Sequence, residues 1–395
     1  IGSLIFAKHP AMKSLAEVTI VGMISVILMA YIFPPLIYKW LTTKKGKNRP
    51  IPITFWNLFK TGLAFLIFFV GSIFLSLIGG IMLIIRKNNK KSKYRFHRIL
   101  CYTMRFLARL MFQVPYKIIN EHKETFEKPS IIICNHQSHL DLLYTLLLSP
   151  KIIVLTNKWV WNTPLYGWII RYADFLPVID GIENNVDKLK ELTTEGYSVL
   201  VFPEGTRSAD CTILRFHQGA FYLAKELELD IVPVVTHGIG YMFPKKEFLL
   251  RKGDVTIRVE KRISPENKTY RFNKSTLETT KLMRQWYQQA YAEMVKKYET
   301  PAYFKEMIIY NYIYKGRKVE WKVRRSLRLH RNFERQIAQL PEEGNYHIEN
   351  CGYGEYALLA ALVKKNLQIT ATDSDPEKVK LARNCNAIPK NLTYI

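Results

Sequence analysis

The chain has 395 residues, 48% of them hydrophobic and 23% charged, which is the length of two to three domain-sized units and a composition that excludes general disorder. Lys and Arg outnumber Asp and Glu by 58 to 33, a formal charge of +25. That balance points to a polyanionic partner: nucleic acid, an anionic membrane surface or a phosphate-bearing substrate. The five cysteines (Cys101, Cys134, Cys211, Cys351, Cys385) are odd in number and widely spaced, so neither a metal site nor a disulfide framework is expected, and reduced thiols in a cytoplasmic setting are. The chain opens on Ile1-Gly2-Ser3, without an initiator Met or the ordered regions of a signal peptide, and so reads as the middle of something longer.

Apolar residues cluster in the first 85 positions, which favours a membrane over nucleic acid. Val18–Tyr38 is a run long enough to cross a ~30 Å hydrocarbon core. The preceding Phe6-Ala7-Lys8-His9-Pro10-Ala11-Met12-Lys13-Ser14-Leu15 resembles a connection between the last helices of resistance–nodulation–division-type lipid exporters, so 1–43 is taken as a transporter-like terminal helix. Lys44, Lys45, Lys47 and Arg49 form a basic loop. A second apolar run, Thr61 to Ile85, ends in Arg86, Lys87, Lys90, Lys91, Lys93 and Arg95. Basic flanks on both sides conflict with a simple span under the positive-inside rule. Gly62, Gly71, Gly79 and Gly80 offer places to break the run, so a membrane hairpin within 52–93 is expected, although length alone favours a straight second span. The basic cluster beyond it suits anionic head groups, at about 1 kcal/mol per residue.

From residue 94 to about 300 the pattern is that of an α/β domain with a mostly parallel central sheet. Short segments rich in β-branched residues (Ser130–Cys134, Lys151–Leu155, Phe175–Ile179, Ser198–Phe202, Ile231–Val235, Asp254–Glu260) alternate with helical stretches. Residues 301–343 read as a basic helical linker. Residues 344–395 carry a strand, a glycine turn, a helix and a second strand, the start of a truncated Rossmann-like segment.

Two strand ends carry chemistry. Ile131-Ile132-Ile133-Cys134 delivers Asn135-His136-Gln137-Ser138-His139-Leu140-Asp141 to its carboxyl end, where α/β proteins place ligands. A turn there brings Asp141 back onto His136 Nδ1 and leaves Nε2 free to take a proton, a base with its orienting partner; alone, the same residues could merely cap the next helix. Val199-Leu200-Val201 ends in Phe202-Pro203-Glu204-Gly205-Thr206-Arg207-Ser208, where Gly205 permits a tight turn and Arg207 offers a planar fork for phosphate oxygens. Glu204 has two candidate partners, Arg207 or a substrate hydroxyl.

Together these loops resemble the glycerol-3-phosphate and 1-acylglycerol-3-phosphate acyltransferase family. Its N-H-x-S-x-x-D motif matches Asn135, His136, Ser138 and Asp141, and its F-P-E-G-T-R-S motif matches Phe202–Ser208. Phe216-His217-Gln218-Gly219-Ala220 and Val232-Pro233-Val234 match later segments. The resemblance implies that His136 deprotonates an acceptor hydroxyl, which attacks the thioester of acyl-CoA or acyl carrier protein, with Asp141 orienting the imidazole and no cofactor. It implies substrate binding by Glu204, Gly205, Thr206 and Arg207, and by Lys158 in Thr156-Asn157-Lys158. The departure is the second motif: Phe175-Leu176-Pro177-Val178-Ile179-Asp180 runs into Gly181, so the usual Arg is missing, and Arg171 is a spatial candidate to replace it.

At the other end, Cys351-Gly352-Tyr353-Gly354-Glu355 follows a strand, and Asp373 ends the next. This resembles the start of class I S-adenosylmethionine-dependent methyltransferases. By that resemblance Gly352, Gly354 and Asp373 bind S-adenosylmethionine, with Asp373 on the ribose. The expected whole is therefore a membrane-attached lysophospholipid acyltransferase within a larger fusion, its catalytic domain on the cytoplasmic side of a bacterial inner membrane. Its partners are a lysophospholipid acceptor, acyl-CoA or acyl carrier protein and an anionic membrane surface, with no nucleic acid. The alternatives are acyl transfer to another lipid or pigment precursor coupled to export, and a non-catalytic lipid-binding domain of a transporter.

Overall fold

A computed structural model describes residues 9–44, 46–86, 89–111, 114–163, 167–178, 181–267, 275–329 and 332–395. The expectations for residues 1–8, Lys45, Lys87, Ile179 and Asp180 lie outside them. Two compact units are formed, Trp56–Tyr303 and, separately, Ile1–Phe55 with Phe304–Ile395.

The first unit is built on a seven-stranded sheet: β1 (Tyr116–Ile119), β2 (Ser130–Cys134), β3 (Ile152–Asn157), β4 (Leu176–Val178), β5 (Ser198–Val201), β6 (Asp230–His237) and β7 (Val255–Val259). Their spatial order is β1-β7-β6-β2-β5-β3-β4. Every pairing is parallel except β6 with β7. The mostly parallel α/β sheet expected from the sequence is present. Central β2 and β6 are buried along their whole length, as continuous apolar runs covered on both faces must be. Each fully buried Ile of β2 stabilises the fold by about 1.5–3 kcal/mol. From the helix Thr276–Tyr298, Tyr287 reaches under the sheet, its hydroxyl donating to the Ile133 carbonyl at 2.6 Å and accepting from Val234 N at 3.2 Å.

The apolar run after residue 52 corrects one expectation. Phe55–Arg86 is a single unbroken helix, α1, and the hairpin expected within it does not form. The glycines serve close packing instead. A Cβ on Gly79 would lie 3.1 Å from Trp168 and 3.2 Å from Phe96, and one on Gly71 would touch Leu107. The contacts Gly71–Leu107 and Gly79–Phe96 run in opposite senses along the chain, so α1 lies antiparallel to the next helix, α2 (Lys90–Leu110). The reversal therefore comes after the apolar run, where the Asn89 side chain caps α2 by accepting from Ser92 N at 2.8 Å. Further along α1, Thr61 Oγ1 accepts from Leu250 N at 3.0 Å and Phe65 meets Phe243 edge-on. Part of the basic cluster on α2 has protein partners: Lys93 pairs with Asp174 at 2.6 Å and Lys90 with Glu195 at 2.8 Å.

In the second unit the N-terminal apolar segment is helical from Pro10 to Thr42, with a π-helical turn at Leu28–Ile32 just before Pro34-Pro35. Missing proline N–H groups account for the local widening. Among the described residues, two helices are long and apolar enough to cross a membrane, Pro10–Thr42 and Phe55–Ile84. The linker forms the helices Pro301–Tyr312, Arg317–Leu329 and Asn332–Gln339. Three parallel strands follow, β8 (Glu343–Ile348), β9 (Asn366–Ala371) and β10 (Leu392–Tyr394), in that order and joined by the helices Glu355–Val363 and Pro376–Arg383.

Candidate active site

Three loops converge at the carboxyl end of β2, because β5 and β6 are its two neighbours in the sheet. The loop after β2 is tied down first. Asn135 bridges to β6, its Nδ2 donating to Thr236 O at 2.9 Å and its Oδ1 accepting from Thr236 N at 2.8 Å. Asp141, fully buried at the start of the helix Asp141–Leu146, turns its Oδ2 back to accept from His136 Nδ1 at 2.9 Å, Gln137 N at 2.6 Å and Ser138 N at 2.8 Å. A carboxylate on Nδ1 places the proton there and leaves Nε2 as an acceptor. The imidazole stacks on Phe202, centroids 4.4 Å apart, and its side chain keeps 22% exposure. His136 and Asp141 thus form the orienter–base geometry expected, with an accessible nitrogen.

Glu204 departs from its expected role. It is 2% exposed, and its two oxygens accept from His136 N at 2.9 Å and Leu214 N at 3.0 Å. Ser208 N donates in turn to His136 O at 2.8 Å. The carboxylate therefore braces the histidine loop and faces neither Arg207 nor open solvent. Burial pushes its pKa up to about 7, against the opposing pull of the two amides. Since the folded protein holds this proton more tightly than the unfolded chain, Glu204's contribution to stability falls as pH rises from about 4.5 to about 7. Glu204→Gln is expected to remove that fall in a melting-temperature series. The same change should cost roughly tenfold in rate, because an amide nitrogen cannot accept one of the two backbone N–H bonds.

Gly205 adopts φ +62°, and a Cβ there would press on the His217 ring at 3.2 Å. Half-buried Arg207 makes no hydrogen bond or ion pair through its guanidinium among the described residues, and burial lowers its pKa. Lys158 is exposed and begins a short helix after β3, the strand on the other side of β5 from β2. Arg171 is exposed and donates through one guanidinium nitrogen to Trp161 O at 3.2 Å.

Two residues of this neighbourhood escape a motif reading. Gln137 is buried and donates through Nε2 to Cys211 O at 3.2 Å. Lys245, in the turn after the short helix Ile239–Met242 that follows β6, donates to Thr206 Oγ1 at 3.0 Å and to Arg207 O at 2.7 Å. The only signal for Lys245 in the sequence is its place in Phe243-Pro244-Lys245-Lys246, a turn after a buried strand.

Among the described residues, the nearest candidate nucleophiles in the motif are engaged or buried. The Ser138 hydroxyl donates to Phe243 O at 2.7 Å, and the Cys134 thiol is buried, which raises its pKa well above the ordinary value. Among the described residues no cluster suited to a metal ion occurs.

In the C-terminal unit, Gly352 and Gly354 hold φ +61° and +85°. A Cβ on Gly352 meets nothing within 4 Å, whereas one on Gly354 would collide with Tyr394 at 2.5 Å. A cavity of about 640 Å³ opens beside Glu349, Asn350 and Gly352. Asp373 is not in its lining. Its carboxylate, 5% exposed, accepts from Gly352 N at 2.7 Å and Asp375 N at 2.9 Å and so braces the glycine turn.

A histidine held by a buried carboxylate thus sits at the carboxyl end of a mostly parallel sheet. Residues 116–237 match the family model described as Acyltransferase. A 1-acyl-sn-glycerol-3-phosphate acyltransferase of Saccharomyces cerevisiae is 32% identical over 174 residues, 41% of this chain and 56% of the relative. One of Chlamydomonas reinhardtii is 36% identical over 151 residues, 35% of this chain and 43% of the relative. The chain thus spans about half the length of these curated relatives. The crystal structure of the 1-acyl-sn-glycerophosphate (LPA) acyltransferase PlsC from Thermotoga maritima superposes with a TM-score of 0.50 at 22% identity, covering 60% of this chain and 96% of that one, a likeness of fold.

Proposed function

We propose that the chain is a membrane-attached O-acyltransferase that moves a fatty acyl group from acyl-CoA or acyl carrier protein to the hydroxyl of a 1-acylglycerol-3-phosphate-like lysophospholipid. The observation that carries this reading is the His136–Asp141 pair, with Nε2 open and the nearest candidate nucleophiles of the motif engaged or buried. In this mechanism His136 Nε2 takes the acceptor's hydroxyl proton as the oxygen attacks the thioester carbonyl, forming the C–O bond. The C–S bond then breaks, and the imidazolium returns the proton to the thiolate of the carrier. Asp141 holds the ring and offsets its transient charge. The acyl group passes directly from the thioester to the acceptor oxygen, with no acyl-enzyme and no cofactor.

Arg207 takes the phosphate, its fork matching two oxygens of one group. Arg207→Lys is expected to raise KM for the phosphorylated acceptor about tenfold or more while leaving that for acyl-CoA unchanged, because a point charge cannot replace bidentate binding. A rise confined to the acyl-CoA KM would refute the assignment. The reading as a whole is tested by an acceptor panel in membranes, where 1-acylglycerol 3-phosphate should be preferred over uncharged monoacylglycerol.

Membrane attachment is supported by the two long apolar helices, and an anionic lipid surface by the basic segments at their ends. For the C-terminal unit, the Gly352 cradle suits a nucleoside of the S-adenosylmethionine kind. Asp373 braces that cradle at Gly352 N, and no methyl transfer is derived.

A further inference from the structure

Resting on the acyltransfer reading, we infer that Lys245 is the second cation of the acceptor's phosphate site and, with Arg207, sets the preference for a phosphorylated acceptor. The argument begins with reach. In a 1-acylglycerol 3-phosphate only one carbon and one ester oxygen separate the reacting C2 centre from phosphorus. Residues that bind the phosphate must therefore flank His136 directly. Lys245 lies in the turn after the short helix Ile239–Met242 that follows β6, and β6 pairs directly with β2.

The loop 202–208 leans to that same side. Ser208 N donates to His136 O across the end of β2, and the loop's tip then meets the Lys245 ammonium at Thr206 Oγ1 and Arg207 O. The ammonium is thereby held against the backbone of the residue whose guanidinium is unpaired. It has three donors and these contacts use two, which leaves one for a ligand.

The turn is also held for position. Glu247 N donates to Pro244 O at 3.2 Å, and Lys246 adopts φ +70°, the left-handed conformation that a turn of this kind usually gives to glycine. Its approach is tied to the catalytic loop by Ser138 Oγ donating to Phe243 O at 2.7 Å. Charge completes the case. A phosphate monoester carries between one and two negative charges near pH 7. One arginine leaves part of that charge unmatched, and the motif that would bring a second arginine reads Asp180-Gly181 here.

The test compares wild type with Lys245→Gln and Lys245→Arg in membranes, with glycerol 3-phosphate as a competing probe. For Lys245→Gln the expected result is a rise of about tenfold or more in KM for 1-acylglycerol 3-phosphate, with kcat and the acyl-CoA KM within about threefold of wild type, matching the loss of one charge-assisted contact. Inhibition by glycerol 3-phosphate should weaken in parallel, and Lys245→Arg should restore both. A fall in kcat with the acceptor KM unchanged would make Lys245 a loop brace only and overturn the inference, as would wild-type behaviour of Lys245→Gln. A wild type inactive on every phosphorylated acceptor would instead overturn the acyltransfer reading, and this inference with it.

Discussion

His136→Ala is expected to lower acyl transfer by 10²–10⁴-fold or beyond while leaving the fold and membrane attachment intact. Among the described residues the side chain makes one hydrogen bond, to Asp141, and it keeps 22% exposure. Its removal therefore opens no cavity in the core. The backbone of residue 136 does the structural work: its N–H donates to Glu204 and its carbonyl accepts from Ser208, and both bonds survive the substitution. Unchanged melting with lost turnover is the signature. Activity within a few-fold of wild type would sink the general-base mechanism.

Asp141→Asn should be nearly as damaging to rate and more damaging to structure. Oδ2 accepts from three donors, two of them backbone amides of the catalytic loop. Asparagine keeps one oxygen but not the charge, so it can leave the imidazole in the wrong tautomer, with Nε2 protonated toward the acceptor; a loss of about 10³-fold or more follows. Asp141→Ala would leave those buried donors unpaired at about 1–3 kcal/mol each. Melting temperature should thus fall in the order wild type, Asn, Ala. The rates of both variants, measured at a pH where each remains folded, should stay low. An Asn variant with near-normal rate would show that ring orientation does not depend on the carboxylate.

The catalytic pair was legible because its parts are close in sequence: His136 and Asp141 lie five residues apart, and a buried strand announces where they emerge. Glu204 was legible as a motif member but not as a brace. One partner, Leu214 N, lies ten residues on in its own loop, but the other, His136 N, is 68 residues away and is brought beside it by the β5–β2 pairing. Lys245 was illegible for the same reason, since 38 residues separate it from Arg207 and the β6–β2 pairing brings the two loops together. The glycines of Phe55–Arg86 misled because a glycine permits two things at once, a break in the helix and close approach of a neighbour. Only the presence of Trp168 and Phe96 over Gly79 decides between them. Asp373 was legible by its spacing after the glycine turn, but its bond from Gly352 N was not, because that depends on the parallel pairing of β8 with β9.

The central claim, direct base-assisted transfer of an acyl group to a phosphorylated lysolipid, is tested most directly by one labelling measurement. Membranes containing the full chain are given radiolabelled acyl-CoA with and without 1-acylglycerol 3-phosphate, quenched early, and separated into lipid and protein fractions. The account predicts label in diacylglycerol 3-phosphate only when the acceptor is present, with none on the protein in either case and none in lipid for His136→Ala. Label retained on the wild-type protein without acceptor, or diacylglycerol 3-phosphate formed equally well by His136→Ala, would contradict it.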